Sequence, residues 1–160
     1  MGSIMNLPEL IGRYEQGTMA VLDALGEYQD KNLDSKHSEG WSPRQIIHHL
    51  ADSESNSYIR LRRLIAEAEG VLLSGYHEGA WSKNPTLGYE LLPIDNSLAV
   101  FVAVRKSSLE IINRLSDADL RKSGIHSEVG KYPMSKWFTD YTAHPFDHAD
   151  QITRAYQGEI

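Results

Sequence analysis

Trp41-Ser42-Pro43-Arg44-Gln45-Ile46-Ile47-His48-His49-Leu50-Ala51-Asp52-Ser53-Glu54 opens a helix and carries two adjacent histidines into it. Ser42 suits the N-cap, where its hydroxyl accepts from a free amide of the first turn. Pro43 suits the first helical position, which needs no amide hydrogen. Beyond this start, Ile46, Ile47, Leu50, Leu61, Leu64 and Ile65 keep the three-and-four spacing of a buried stripe. The pattern predicts a helix over residues 42–68, with Gly70 as its stop.

Three further segments repeat that logic. Leu7, Leu10, Ile11, Tyr14, Thr18, Val21, Leu22 and Leu25 predict a helix over 7–28. Leu98, Phe101, Val102, Leu109, Ile112 and Leu115 predict one over 94–115, after Pro93. A fourth is expected over 135–157, ended by Gly158. Two connections, 71–92 and 116–134, exceed what a bundle needs, and long structured loops in compact domains often carry function. Ile125-His126-Ser127 and Lys131-Tyr132-Pro133 suggest a small hairpin around Glu128-Val129-Gly130. Four long helices with little strand signal argue for one all-α domain, a four-helix bundle with long connecting loops.

Composition narrows the function. The chain has 160 residues, enough for a real core without covalent staples. Hydrophobic residues make up 41% and charged residues 24%, ordinary for a soluble globular protein. Without cysteine there is no disulfide, thiolate zinc site or cysteine nucleophile. The formal net charge is −6, and the one dense basic run, Arg60, Arg62 and Arg63, spreads around its helix as a solvated face. Nucleic acid is therefore not an expected partner. No apolar run approaches a membrane span. Met1 to Asn6 lacks the basic start and apolar core of a signal peptide, so the cytoplasm is the expected location.

The chemistry sits in the histidines. His144 and His148, in His144-Pro145-Phe146-Asp147-His148, are four apart and share one helix face. They fall on the stripe Trp137, Tyr141, His144, His148, Ile152 and Ala155, which faces inward. Two readings stand at this point. The pair either converges on a metal ion or is hydrogen-bonded to backbone and carboxylates. At about 100° per residue, His49 lies on the flank of its stripe, while His48 lies roughly 160° from the centre and is expected in solvent. Only His49 of the two is placed to join the pair. His37, His77 and His126 fall in loops and read as surface histidines.

At these residues the chain resembles the DinB/YfiT-like superfamily. The Trp-Ser start leading to His49-Leu50-Ala51-Asp52-Ser53-Glu54 resembles that family's second helix, with the ligand histidine at His49. His144 to Ile152, ending Asp150-Gln151-Ile152, resembles its final-helix motif of two ligand histidines followed by Gln-Ile. Tyr76-His77-Glu78-Gly79-Ala80-Trp81 resembles a linker segment of the YfiT branch, although His77 stands where that branch tends to be acidic. The resemblance implies an up-down-down-up bundle, often a homodimer, with one divalent metal on His49, His144 and His148. It also implies a small-molecule substrate. The family contains metal-dependent hydrolases and transferases that use low-molecular-weight thiols.

A three-histidine site with an open position accepts water for hydrolysis or a thiolate for transfer. Zinc or nickel suits it best, and iron or manganese is accepted. The remaining reading is a non-enzymatic binding or dimerisation bundle with structural histidines. Asp52, Asp140 and Gln151 stand at helical reach of His49, His144 and His148 respectively, as acceptors for their outer ring nitrogens. Asp52 is the expected base or ligand-orienting residue, since no HExxH glutamate is present and Asp147 is rotated away. Pro145 removes an amide donor and crowds the carbonyl of Tyr141, so a kink that shifts His144 relative to His148 is expected.

Overall fold

The computed structural model describes residues 6–160. The reading of the N-terminus as free of a leader falls on residues 1–6, of which 1–5 lie outside the described residues. Four long helices form: α1 (Leu7–Leu25), α2 (Pro43–Ala66), α4 (Asp95–Ile112) and α5 (Met134–Tyr156). A short helix, α3 (Glu78–Lys83), and three strands lie in the connections. The strands are β1 (Val71–Leu73), β2 (Ser123–His126) and β3 (Gly130–Pro133).

The helix starts follow from their caps. Ser42 and Gln45 form a reciprocal capping box: the Ser42 hydroxyl accepts from the Gln45 amide at 3.3 Å, and the Gln45 side chain accepts from the Ser42 amide at 3.0 Å. Asn6 and Glu9 do the same for α1. The hairpin expected from 125–133 is present as β2 and β3. The sequence reading missed β1, which pairs parallel with β2 in the register Leu72↔Ile125. It also missed α3. Both are too short to show a period.

Two apolar clusters report the helix directions. One gathers Tyr14, Leu61, Leu64, Ile112, Trp137 and Phe138. These come from the first half of α1, the last half of α2, the last half of α4 and the first half of α5. The other gathers Val21, Ile46, Leu50, Phe101 and Ile152, from the opposite halves. Hence α1 and α5 run one way, and α2 and α4 run the other. The order is up-down-down-up. Consecutive parallel helices α2 and α4 need a crossover along the bundle's full length, and that need explains the long connection carrying β1 and α3. The chain contains no described helix long and apolar enough to cross a membrane.

Arg105 sits between the two clusters, 1% exposed, and touches every long helix. Its Nη1 donates to Glu54 Oε1 on α2 at 2.6 Å and to the Tyr141 carbonyl on α5 at 3.0 Å. Its Nη2 donates to the Tyr14 carbonyl, and its Nε to Thr18 Oγ1 at 2.6 Å, both on α1. The Tyr141 carbonyl is the one that Pro145, lacking an amide hydrogen, leaves without its helical partner. Arg105 replaces that donor. The expected kink is not seen as a break: α5 is continuous through Pro145. Pro145 also packs against Gly17, where an added Cβ would stand 2.9 Å from the ring, so glycine lets α1 and α5 close on each other.

Breaking a buried ion pair from one side leaves the other charge stranded, at a cost of about 3–5 kcal/mol. Arg105→Met should lower the unfolding free energy by at least that much in urea denaturation, because Glu54 is fully buried and the Tyr141 carbonyl loses its donor. Adding Glu54→Leu should recover part of the loss but not all, since the Tyr141 carbonyl, which Pro145 cannot serve, stays orphaned. A single variant as stable as the parent would contradict this.

Candidate metal centre

His49 is on the N-terminal half of α2, and His144 and His148 are on α5, which runs antiparallel beside it. The antiparallel pairing brings the three imidazoles together. His144 Nε2 lies 3.2 Å from His49 Nε2 and 3.0 Å from His148 Nε2. One ring nitrogen from each lies within 4.8 Å of the others. Pro145 therefore leaves the His144–His148 pair intact.

The hydrogen bonds around the rings fix what the inner nitrogens can be. A neutral imidazole carries one proton and one lone pair. His148 Nδ1 faces the Gln151 carbonyl oxygen at 2.8 Å, so its proton sits outward and its Nε2 lone pair inward. The Nδ1 atoms of His49 and His144 are buried with no hydrogen-bond partner. Such a group fits a cation: His144 Nε2 stands about 3 Å from a ring nitrogen of each of the other two histidines, with no buried carboxylate among them to take a proton. Burial pushes the His49 imidazole down to about 3, helped by His148. Burial pushes His144 down to about 2, helped by His148, His49 and the Arg105 guanidinium. Burial also lowers His148, opposed by its bond to Gln151. All three are held neutral, the form that ligates a metal.

The cluster forms one wall of a cavity of about 510 Å3, lined also by Trp41, Glu78, Gln151 and Arg154. Trp41 stands edge-on to the His49 ring, with centroids 5.1 Å apart. Glu78 projects from the first turn of α3, whose start is capped by His77 Nδ1 accepting from the Ala80 amide at 3.0 Å. Its carboxylate is 4.0 Å from His49 Nδ1, and its side chain is 64% exposed. Glu78 was not among the expected site residues. The crossover that delivers it has no periodic pattern, and only its place in the Tyr76–Trp81 segment hinted at a role.

Several expectations are corrected. His48 is not in solvent. It is 5% exposed, with Nδ1 at 2.8 Å from Ser97 Oγ and Nε2 at 3.1 Å from the Leu92 carbonyl. The phase argument assumed a single buried stripe, whereas α2 is flanked by α4, by α5 and by the end of the crossover. His48 is nonetheless absent from the three-histidine group, as its phase implied. His126 is buried on β2 rather than exposed in a loop, because the sheet and Tyr132 cover it. Arg60 is likewise buried, whereas Arg63 keeps a half-exposed pair with Glu67. Asp140 does not reach His144; it accepts from Tyr132 and Lys136. Asp52 turns to the Tyr89 hydroxyl and makes no bond to His49. Its carboxyl is raised by burial, against the opposing effect of the Tyr89 bond.

A pH dependence follows for the metal-free chain. The folded state keeps His49 and His144 neutral down to about 3 and about 2, while an unfolded imidazole takes a proton at about 6.5. Between those values the unfolded state binds more protons, so unfolding free energy falls as pH falls. Stability should be full above about pH 6.5 and decline below it, by about 1.4 kcal/mol per pH unit for each such histidine. Urea denaturation in chelator across mildly acid pH measures the slope. His144→Ala should reduce it by one histidine's share, and an unchanged slope would contradict the assignment.

Comparison with known proteins agrees with this geometry. Residues 13–152 match the family model described as the DinB superfamily. A protein of Oceanobacillus iheyensis named "putative metal-dependent hydrolase" is 33% identical over 155 residues, covering 95% of this chain and 88% of the relative. One of Bacillus mycoides with the same description is 31% identical over 131 residues, 81% and 73% of the two chains. Among solved structures, YfiT from Bacillus subtilis, described as "a probable metal-dependent hydrolase with an unusual four-helix bundle topology", superposes with a TM-score of 0.85 at 25% identity, covering 98% of this chain and 90% of that one. With the family model spanning most of its length and both histidine-bearing helices, the chain belongs to the DinB superfamily.

Proposed function

We propose that the chain is a metal-dependent hydrolase of a small molecule, with one divalent ion on His49, His144 and His148. The observation that carries this reading is the facing of three neutral Nε2 atoms on a cavity wall, with no buried acid to bridge them. The relatives named as metal-dependent hydrolases support it. Three imidazoles suit zinc or nickel best and also accept iron or manganese.

A divalent ion in such a site supplies Lewis-acid polarisation and makes water acidic near neutral pH. The chain's own residues do the rest. Gln151 fixes the tautomer and ring angle of His148. Trp41 packs on His49 and shields that side of the cavity. Glu78 lines the same cavity as the three histidines, with its carboxylate 4.0 Å from His49 Nδ1, and we give it the base role rather than Asp52, whose carboxylate is engaged by Tyr89. In hydrolysis it takes the proton that the attacking water loses and returns it to the leaving group, while the water oxygen stays on the acyl carbon.

Metal analysis of untagged protein should find about one ion per chain, lost in His49→Ala, His144→Ala and His148→Ala but retained in His48→Ala. Absence of metal in the parent protein would leave a non-enzymatic bundle. Against a panel of esters and amides, Glu78→Gln should cut kcat by about 10²-fold or more with the metal retained, and Asp52→Asn should cut it far less. The reverse order would return the base role to Asp52. Turnover that requires an added low-molecular-weight thiol would replace hydrolysis by thiol transfer at the same ligands. The homodimer implied by the family resemblance belongs to this proposal and is read from the solution mass, against 18.0 kDa for one chain.

A further inference from the structure

A second cavity of about 660 Å3 lies beside the first and shares Glu78 and His144 with it. Its size is that of a small-molecule pocket. Its wall holds Arg60, 9% exposed on α2. The Arg60 Nε and Nη2 donate to the Ser74 carbonyl at 3.2 and 2.8 Å, and Nη1 donates to the Tyr141 hydroxyl at 2.6 Å. None of these acceptors is charged. Among the described residues Arg60 makes no ion pair, unlike Arg105 with Glu54. A buried cation without a counter-charge is costly, and a guanidinium has five N–H groups, of which three are used here.

The same wall carries a second unmet group. The Tyr76 hydroxyl is buried and makes no hydrogen bond, although Ser53 lies beside it. The acids nearby do not answer Arg60. Asp140 is held by the Tyr132 hydroxyl at 2.9 Å and by Lys136 at 3.0 Å. Glu128 is exposed, and Glu78 stands mostly exposed where the two cavities meet. Tyr141 joins the two sites: its hydroxyl meets Arg60, and its ring lies 6.3 Å from the ring of His144.

We infer that this second cavity recognises a carboxylate on the substrate, with Arg60 as its counter-charge and the Tyr76 hydroxyl as a further donor, so that the bond to be cleaved lies a few atoms away at the histidine cluster. The substrate class is then a small acid bearing a hydrolysable acyl group. The reaction part of this inference rests on the hydrolase reading; the binding part does not.

Calorimetric titration of the full chain with glutarate, and with glutaramide as its uncharged analogue, tests the binding part. It is run on protein as purified and again after chelation. Glutarate should bind in both states, at least about tenfold tighter than glutaramide. Tyr76→Phe, which removes only the hydroxyl, should weaken glutarate about tenfold and leave glutaramide within a few-fold. Arg60→Met should weaken it about thirtyfold or more; if that variant does not fold, Tyr76→Phe decides. Equal binding of the two compounds overturns the inference. So does binding that vanishes on chelation yet ignores Tyr76→Phe, which would place the carboxylate on the metal. Inorganic phosphate binding in preference to glutarate overturns the carboxylate assignment. Metal content of the same samples scores the hydrolase reading separately.

Discussion

The Arg105 guanidinium is where the four long helices meet, and its constraints reach the functional site. A positive charge that is 1% exposed survives only with a counter-charge and filled donors. Glu54 supplies the first, and the Tyr14 carbonyl, the Thr18 hydroxyl and the Tyr141 carbonyl supply the second. The aromatic face of Tyr14, 3.7 Å from the guanidinium carbon, covers what remains. Sliding any one helix along another would strand a charge or a donor, so the polar hub sets the register of a bundle whose apolar clusters alone would tolerate slippage. The same contact mends α5 at Pro145, between the two histidines that must stay one turn apart.

The hub also acts electrically on the site. Arg105 is among the groups that depress the His144 imidazole, so a structural charge helps keep that residue neutral. Neutrality in turn makes the cluster a receptor for a cation rather than a store of protons. The crossover between α2 and α4 completes the arrangement. Two consecutive parallel helices force the chain back along the bundle. On that return it lays Tyr76 and Glu78 over the seam between α2 and α5, where the histidines line the cavity wall. The topology thus creates both the cavities and the loop that furnishes them.

Much of this was legible in the residues. Ser42-Pro43 and the three-and-four spacing of Ile46, Leu50, Leu61 and Leu64 locate α2 within two residues of its observed ends. His144 and His148 fall on the inward stripe, and helical phase separates His49 from His48 as the partner. Gln151 is at hydrogen-bond distance from His148, as its spacing suggested. These are local properties: a helix has one period, so a residue number fixes an angle. His48 shows where that reasoning ends. Its angle was read correctly, yet whether that direction is solvent depends on α4 and Leu92, which lie more than forty residues away in sequence.

The sequence by itself determined the four helices, the direction in which each histidine points from its own helix, and the absence of cysteine chemistry. Only the tertiary structure decided that α2 and α5 lie antiparallel with three Nε2 atoms facing. It alone decided that Arg105 replaces the amide Pro145 lacks, that Asp52 turns to Tyr89, and that Arg60 is buried beside a cavity with no carboxylate paired to it. The physical reason is the range of the interactions. Helical periodicity and caps act over a few residues, and a single sequence displays them. The partners of a buried charge come from whichever elements pack around it, and no local pattern names them.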